Sequence, residues 1–258
     1  MREQRSLPDE GDAMNEGNPA PPEQIREMFD RIAHVYDAMN SLISGMQEPR
    51  WRRRAIQESR LGPGMRALDV ACGTGKATAD LAATVSPAGL VVGVDFSPHM
   101  LRMAKERYGG RPGITFVLGD ALNLPFGDAA FDAATILFGM RNLRDYRRGF
   151  AEMHRVVRHG GRVVCLEIAR PRRRVGRLAA TWFDHAIPLF GGLVGHRQAY
   201  AYLVRSVKDY PEPERVAQMM REVGLADVRW FELSGGIVTI HAGVADHRTD
   251  HEVHPDRD

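Results

Sequence analysis

The chain has 258 residues, of which 43% are hydrophobic and 26% are charged, as in a globular protein that can bury a sizeable core. A formal net charge of +2 predicts no dedicated nucleic-acid partner, and no apolar run approaches the ~20 residues that a membrane span requires. The first residues do not begin a signal peptide and there are only two cysteines, so we expect a cytoplasmic protein.

Both ends of the chain are predicted to be disordered. Residues 1–22 are rich in Pro, Gly and acidic residues, and residues 245–258 form a polar tail that contains histidines. We interpret that tail as solvated, and we expect no metal site. A single domain is therefore predicted over residues 23–244.

Residues 23–60 are predicted to form N-terminal helices, because Ile25, Met28, Phe29 and Ile32 share one helix face. Strands then alternate with helices through a predicted core over residues 61–170. The predicted strands are 66–71, 90–95, 114–118, 131–137 and 162–167, with a helix over 144–158 that Gly160 and Gly161 would end. Such alternation is typical of a parallel, doubly wound sheet.

The last two segments complete the predicted domain. Residues 171–222 read as mostly helical and are predicted to form a lid over the carboxyl ends of the strands. Residues 223–244 are predicted to form a closing hairpin, with strands at 228–233 and 236–242. The fold class is therefore α/β: a Rossmann-like, doubly wound, seven-stranded, mostly parallel sheet whose last strand is antiparallel.

The turn after the first strand is the strongest indication of a ligand. Gly73 and Gly75 allow a ligand to approach the backbone closely, as at nucleotide sites of open α/β sheets. The dinucleotide fingerprint is incomplete, because Thr78 stands where its third glycine would be. Asp69 is expected to point a carboxylate towards the pocket, which favours a cationic ligand such as S-adenosylmethionine.

Two more acids follow neighbouring strands. Asp95 ends the second predicted strand, where a carboxylate can accept both hydroxyls of a ribose; the alternative is a simple helix cap. Asp120 follows the third strand and can accept the amino group of an adenine, or form only an Asx turn. The recurrence of acids at successive strand ends favours the adenosine interpretation.

Together these features resemble the class I S-adenosylmethionine-dependent methyltransferases. Further segments resemble one branch, the ubiquinone/menaquinone biosynthesis C-methyltransferases, over about residues 26–243. These segments are Phe29–Asn40, Leu124–Phe126, Phe138–Asn142, Arg155–Gly161, Ala199–Leu203 and Gly235–Gly243. The resemblance implies an S-adenosylmethionine cofactor bound by Asp69, Ala71, Gly73, Thr74, Gly75, Asp95, Phe96, Met100, Asp120, Ala121 and Phe138.

The resemblance also implies C-methylation of a quinol-type aromatic ring, such as demethylmenaquinol. The ring carbon becomes nucleophilic when the neighbouring hydroxyl, with a pKa near 10 as in tyrosine, loses its proton. A base or a cation should therefore lie nearby. The catalytic candidates are Arg141, Asn142, Tyr36 and His241, with Arg141 as the first choice. A structural ion pair is the alternative for Arg141, and a buried core histidine is the alternative for His241.

The acceptor is less sharply indicated than the cofactor. Apolar residues at 182–190 could line a channel for an isoprenoid tail, and the arginine run at 170–177 could touch anionic lipids as a peripheral membrane contact. A homodimer is left open. Glu48, Arg205 and His159 depart from the residues usual in the family. Two alternatives follow: a C- or O-methyltransferase of a phenolic or polyketide natural product, and a cofactor-binding protein without methyl transfer.

Overall fold

A computed structural model describes residues 16–18, 20–169 and 197–247, with residues 33–43 and 197–200 described as backbone only. Several predictions therefore fall outside the described residues. These are the side chain of Tyr36, the apolar channel at 182–190, the arginine run at 170–177, and most of both predicted tails.

One seven-stranded sheet organises the described chain. In chain order its strands are β1 Arg66–Val70, β2 Leu90–Asp95, β3 Ile114–Leu118, β4 Phe131–Leu137, β5 Val157–Ile168, β6 Leu225–Leu233 and β7 Val238–Ala245. Their spatial order is β3-β2-β1-β4-β5-β7-β6. Strands β1 to β5 pair in parallel, while β7 runs antiparallel to both β5 and β6. The predicted fold class is confirmed, including the closing hairpin.

Helices cover both faces of this sheet, so its inner strands are buried on both sides. In chain order the helices are α1 Pro22–Ile43, α2 Glu48–Glu58, α3 Lys76–Val85, α4 Pro98–Tyr108, α5 Tyr146–Val156, α6 Arg197–Asp209 and α7 Pro213–Glu222. Trp51 and Ala55 of α2 pack against β5 and β7 on one face. Phe150 of α5 and Met219 of α7 pack on the other.

The direction change in strand order lies between β1 and β4. From β1 the chain first adds β2 and β3 on one side, and then crosses to add β4 on the other. In open α/β sheets, ligands bind outside the carboxyl ends of the strands at this point. The turns after β1, β2 and β4 are therefore the expected position of a ligand site.

Two predicted boundaries in this sheet and its helices are wrong. Gly160 and Gly161 do not end a helix: α5 stops at Val156, and β5 begins at Val157 with the glycines inside it, where its register with β4 is irregular. The predicted lid is too long at its end, because α7 buries Val216 and Met219 in the core under the sheet. An amphipathic helix pattern indicates a buried face but not what covers it.

Both predicted tails also extend too far into the domain. Tyr146 donates its backbone N–H to the carbonyl of Glu16, and the side chain of Asn18 is buried. At the other end, β7 includes Ala245, and the imidazole of His247 lies 2.7 Å from the carbonyl oxygen of Val157. Within the described part of the chain, no helix is long and apolar enough to cross a bilayer.

Candidate cofactor and acceptor site

A cavity of about 380 Å³ opens at the carboxyl ends of β1, β2 and β4, a size within the usual range for small-molecule sites. Its wall combines residues from the turns after these strands with residues from the start of α1. The lining residues include Ala71, Gly73, Asp95, Phe96, Met100, Asp120, Ala121, Phe138, Asn142, Glu23, Arg26, Phe29 and Arg144. The cavity therefore contains most of the cofactor-binding residues that the sequence predicts.

The turn after β1 gives the cavity an open backbone wall. Strand β1 ends at Val70 rather than at the predicted Ala71, because Ala71 has a positive φ of 54°. At Gly73, also with a φ of 54°, an added Cβ would meet no atom within 4 Å. Gly75 and Thr74 do not line the cavity; an added Cβ at Gly75 would meet Phe116 at 3.0 Å. Gly73 is thus suited to close ligand approach, whereas Gly75 allows close packing.

Asp95 is fixed at the end of β2 by backbone donors. Its carboxylate accepts the N–H of Gly73 at 2.8 Å and the N–H of Ser97 at 2.9 Å. It also lines the cavity, although the residue is only 6% exposed. Burial raises the pKa of Asp95 to about 6, against the effect of these N–H donors. A ribose has two neighbouring hydroxyl groups, and both could donate hydrogen bonds to this buried carboxylate.

Asp69 does not face the cavity, so the prediction that its carboxylate points towards the ligand is wrong. The side chain is 1% exposed and accepts the hydroxyl of Thr78 at 2.6 Å. Thr135 donates a longer bond of 3.4 Å. Burial raises the pKa of Asp69 to about 7. This carboxyl ties β1 to α3 and β4, and thereby supports the turn from beneath.

The side of the cavity where the sequence predicts the adenosine is built by residues at the ends of β2 and β3 and at the start of α4. Phe96, Met100 and Ala121 give it an apolar wall, with Asp120 at its edge. The Asp120 carboxylate accepts the N–H of Leu122 at 2.9 Å, which is the Asx turn that the sequence left as an alternative. Ser97 caps the N-terminus of α4, since its hydroxyl accepts the N–H of Met100 at 3.0 Å.

Arg141 lies in a buried ion pair instead of in the cavity. Its guanidinium Nη1 is 2.8 Å from Oε1 of Glu167, and the two side chains are 6% and 0% exposed. Its backbone N–H also donates to Oε2 of Glu167 at 3.1 Å. The first choice for a phenolate-binding residue is therefore wrong in this arrangement, and the structural ion pair is the interpretation that the contacts favour. This pair anchors the turn after β4 to the end of β5.

His241 also lies outside the cavity, so its assignment as a base is wrong here. It is fully buried in β7, with Nε2 2.9 Å from the carbonyl oxygen of Pro213. Burial lowers the pKa of His241 to about 4. The side chain is a neutral core imidazole that joins β7 to the start of α7.

Asn142 is the one predicted catalytic residue whose described side chain lines the cavity. Its Oδ1 accepts the hydroxyl of Tyr202 at 2.9 Å, and Tyr202 in turn accepts Nδ2 of Asn18 at 2.7 Å. The sequence pointed to the segment Ala199–Leu203 but did not single out Tyr202, and it placed Asn18 in a disordered tail. These two contacts join residues 60 and 184 positions apart, which no local pattern reveals.

The sequence also missed two cavity arginines, Arg26 of α1 and Arg144 after the turn of residues 138–142. Both are exposed at the opening, so their guanidinium groups can meet an anionic group of a ligand. The helical periodicity of α1 identified its buried face, through Ile25 and Phe29, but not the neighbouring residues that face the ligand.

The residues present fit S-adenosylmethionine. An open glycine wall, an apolar side at Phe96 and Met100, and acids at Asp95 and Asp120 suit an adenosine that carries a positive charge. Among the described residues there is no group of three or more His, Cys, Asp or Glu side chains arranged to hold a metal ion. This fold and this cavity define a class I S-adenosylmethionine-dependent methyltransferase.

Comparison with known proteins identifies the family. The model of the ubiE/COQ5 methyltransferase family matches residues 18–245, and the chain belongs to this family. It is 39% identical over 228 residues to the demethylmenaquinone methyltransferase of Staphylococcus aureus (strain JH9), covering 88% of this chain and 95% of that protein. S-adenosylmethionine is the cofactor of this enzyme.

Solved structures support the fold. A methyltransferase dependent on S-adenosylmethionine from Aquifex aeolicus has a TM-score of 0.57 at 17% identity, covering 75% of this chain and 89% of that one. The cyclase SpnF has a TM-score of 0.64 at 17% identity, covering 89% of this chain and 99% of that one. At such low identity these likenesses establish only the shared architecture.

Proposed function

We propose that this methyltransferase transfers a methyl group to a ring carbon of a demethylmenaquinol-type isoprenoid quinol. The observation that carries the proposal is the two-part cavity. Asp95, Phe96 and Asp120 form one part, suited to the adenosine, and Phe138 and Asn142 form the other, after β4. The relationship to a demethylmenaquinone methyltransferase supports the choice of acceptor.

Methyl transfer needs the donor and acceptor held in line and shielded from water. When bound, S-adenosylmethionine supplies an electrophilic methyl group on a sulfonium. Asp95, held by two backbone N–H groups, would fix the ribose, and Gly73 would let the rest of the cofactor lie along the turn after β1. Phe138 and Asn142 would then define the place of the acceptor ring.

The acceptor hydroxyl must lose its proton for the ring carbon to become nucleophilic. Because Arg141 is paired with Glu167, the described cavity residues whose hydrogen-bond donors can face a phenolate are Asn142, through its amide, and Arg26 and Arg144, through their guanidinium groups. A hydrogen bond to a charged oxygen contributes about 1.5–3 kcal/mol. Such donors lower the pKa of the bound hydroxyl, so that water can remove its proton.

Two departures from the family pattern do not weaken this proposal. Glu48 forms an ion pair with Arg52 at the start of α2, and Arg205 is exposed on α6. Neither residue lines the cavity. Both changes therefore lie away from the described walls of the acceptor site.

An isoprenoid quinol resides in a bilayer, so the proposal includes a peripheral membrane contact on the cytoplasmic side. Arg26 and Arg144 at the cavity opening, both exposed, are suited to approach anionic head groups. A soluble phenol or polyketide would need no such approach. Binding to vesicles with and without anionic lipid would separate these two acceptor classes.

The acceptor is tested by comparing initial rates with reduced demethylmenaquinone carrying a short tail, with reduced demethoxyubiquinone and with a panel of soluble phenols. We expect transfer from labelled cofactor to the demethylmenaquinol at a kcat/KM at least 100-fold above any soluble phenol. Transfer to soluble phenols alone would contradict the proposal. Cofactor binding without transfer to any acceptor would favour a protein that has lost methyl transfer.

A further inference from the structure

A directed chain of hydrogen bonds ends at the cavity residue Asn142. It starts where the backbone N–H of Ala20 donates to Oδ1 of Asn18 at 2.9 Å. On its other side, Nδ2 of Asn18 donates to the carbonyl oxygen of Arg141 at 2.9 Å and to the hydroxyl of Tyr202 at 2.7 Å. A backbone N–H can only donate and a carbonyl can only accept, so these two groups fix which way round the Asn18 amide lies.

The orientation of the Asn18 amide also determines which hydrogen bond the Tyr202 hydroxyl donates. Its hydroxyl has one proton, and its oxygen already accepts Nδ2 of Asn18. Within the described part of the chain, the acceptor placed to take this proton is Oδ1 of Asn142, 2.9 Å away. This fixes the Asn142 amide as well, with its oxygen turned to Tyr202 and its NH2 group on the other side. That nitrogen has a long contact of 3.5 Å to the carbonyl oxygen of Phe138, another cavity residue.

We propose that Asn142 presents an N–H donor to the acceptor oxygen next to the methylated carbon, and that Asn18 and Tyr202 are positioning residues that fix this polarity. This inference rests on the proposed function and names the role of one of its residues. A donor at this place stabilises a phenolate, whereas an amide oxygen would repel it. Tyr202 cannot serve as the base, because burial raises its pKa to about 12 and its proton is already donated.

The segment that carries Asn18 is built to lie against the cavity turn. The N–H of Asn18 donates to the carbonyl oxygen of Leu143 at 2.7 Å, and Glu16 is paired with Arg215 of α7 at 2.8 Å. An added Cβ at Gly17 would lie 1.8 Å from the carbonyl oxygen of Arg144, so only glycine allows this approach. The N-terminal segment thus supports the turn that carries Asn142.

The polarity is tested by comparing Asn142→Asp with Asn142→Ala, using the full chain and demethylmenaquinol. We expect Asn142→Ala to lower kcat about 10- to 100-fold, as expected for one donor to a charged oxygen. Asn142→Asp should be at least tenfold slower than Asn142→Ala, because its carboxylate keeps the bond to Tyr202 but repels the phenolate. Both should keep the wild-type Kd for S-adenosylmethionine by calorimetry.

The pH profile distinguishes this role from a structural one. If Asn142 stabilises the phenolate of the bound acceptor, the acidic limb of the pH profile of kcat moves to higher pH in Asn142→Ala, because kcat reports pKa values in the enzyme–substrate complex. Equal rates for the Asp and Ala variants, or an unmoved acidic limb, would overturn the proposal. A wild-type enzyme that fails to methylate any quinol would instead overturn the proposed function, so the two failures are distinguishable.

Tyr202→Phe gives a second test that does not alter the cavity residue itself. It removes the hydroxyl that orients the amide, and we expect kcat to fall about 2- to 12-fold, as for a neutral hydrogen bond. The matched control is Tyr108→Phe at the end of α4, which does not line the cavity and should keep wild-type kcat. Wild-type turnover in Tyr202→Phe would contradict the positioning role of Tyr202.

Discussion

Replacing Asp95 by Asn should weaken cofactor binding strongly while leaving the shape of the cavity intact. The carboxylate accepts the N–H groups of Gly73 and Ser97 at 2.8 and 2.9 Å, so both its oxygens are held in place before the ligand arrives. A ribose hydroxyl would meet a fixed, buried acceptor. In Asp95→Asn, an NH2 group replaces one of the two carboxylate oxygens. Because this group donates and cannot accept, the variant loses one acceptor, either for a backbone N–H or for the ribose.

The magnitude follows from the kind of bond that is lost. A hydrogen bond to a charged group contributes about 1.5–3 kcal/mol, and about 1.4 kcal/mol is a factor of ten in Kd. One lost ribose bond therefore raises the Kd for S-adenosylmethionine about 10- to 100-fold, and two lost bonds raise it further. Isothermal titration calorimetry at neutral pH measures this change directly.

A matched control separates ligand binding from support of the backbone. Asp132 also accepts a backbone N–H, that of Arg66 at 2.7 Å. It lies at the amino end of β4, whereas the cavity lies at the carboxyl ends of the strands. We expect Asp132→Asn to lower stability without changing the Kd. Unchanged affinity in Asp95→Asn would refute the assignment of this carboxylate to the ribose. An equal loss of affinity in both variants would show that it only supports the fold.

Three further predictions follow from the same contacts. Because the pKa of Asp95 is raised to about 6, the carboxyl gains a proton as the pH falls through 6, so cofactor affinity should fall from pH 7 to pH 5 in the wild type and stay flat in Asp95→Asn. Glu167→Gln leaves a buried guanidinium uncompensated and should lower the free energy of unfolding in urea by about 3–5 kcal/mol, whereas Glu222→Gln, at a more exposed ion pair, should lower it by less than about 1 kcal/mol. Gly139→Ala would bring a Cβ within 2.7 Å of that of Ala71, which should lower stability by about 1–3 kcal/mol and impair cofactor binding, while Gly127→Ala, in open space, should be neutral. The first prediction would be contradicted by a wild-type cofactor affinity that does not change between pH 7 and pH 5. The second would be contradicted by equal urea midpoints for Glu167→Gln and Glu222→Gln, and the third by equal stabilities for Gly139→Ala and Gly127→Ala.

Most strands of the sheet could be predicted because each one is marked by a local run of apolar residues. The segments 90–95, 114–118 and 131–137 are runs of apolar residues bounded by glycine, proline or charged residues, and they match the observed β2, β3 and β4. Strands buried on both faces need such continuous apolar runs. The prediction was wrong at Gly160, because a glycine pair can sit within an irregular strand as well as end a helix.

The site was predicted only where it is built from strand ends. Asp95 and Gly73 could be placed because parallel strands bring their carboxyl ends to one edge. The partners of Arg141 and Asn142 could not, because Glu167 and Tyr202 lie 26 and 60 residues further along the chain. The sequence therefore predicted Arg141 as a cation in the cavity, whereas in the structure it is paired with the buried carboxylate of Glu167.

We expect this enzyme to transfer the methyl group of S-adenosylmethionine to a ring carbon of an isoprenoid quinol. The most direct measurement uses cofactor with a ¹³C-labelled methyl group and reduced demethylmenaquinone, followed by NMR of the extracted, reoxidised product. We predict a single labelled resonance from a methyl group on a quinone ring carbon, formed by the wild-type enzyme and at a greatly reduced rate by Asn142→Asp. Label on an oxygen, or a quinol recovered without label while a soluble phenol is methylated, would contradict methyl transfer to a quinol ring carbon.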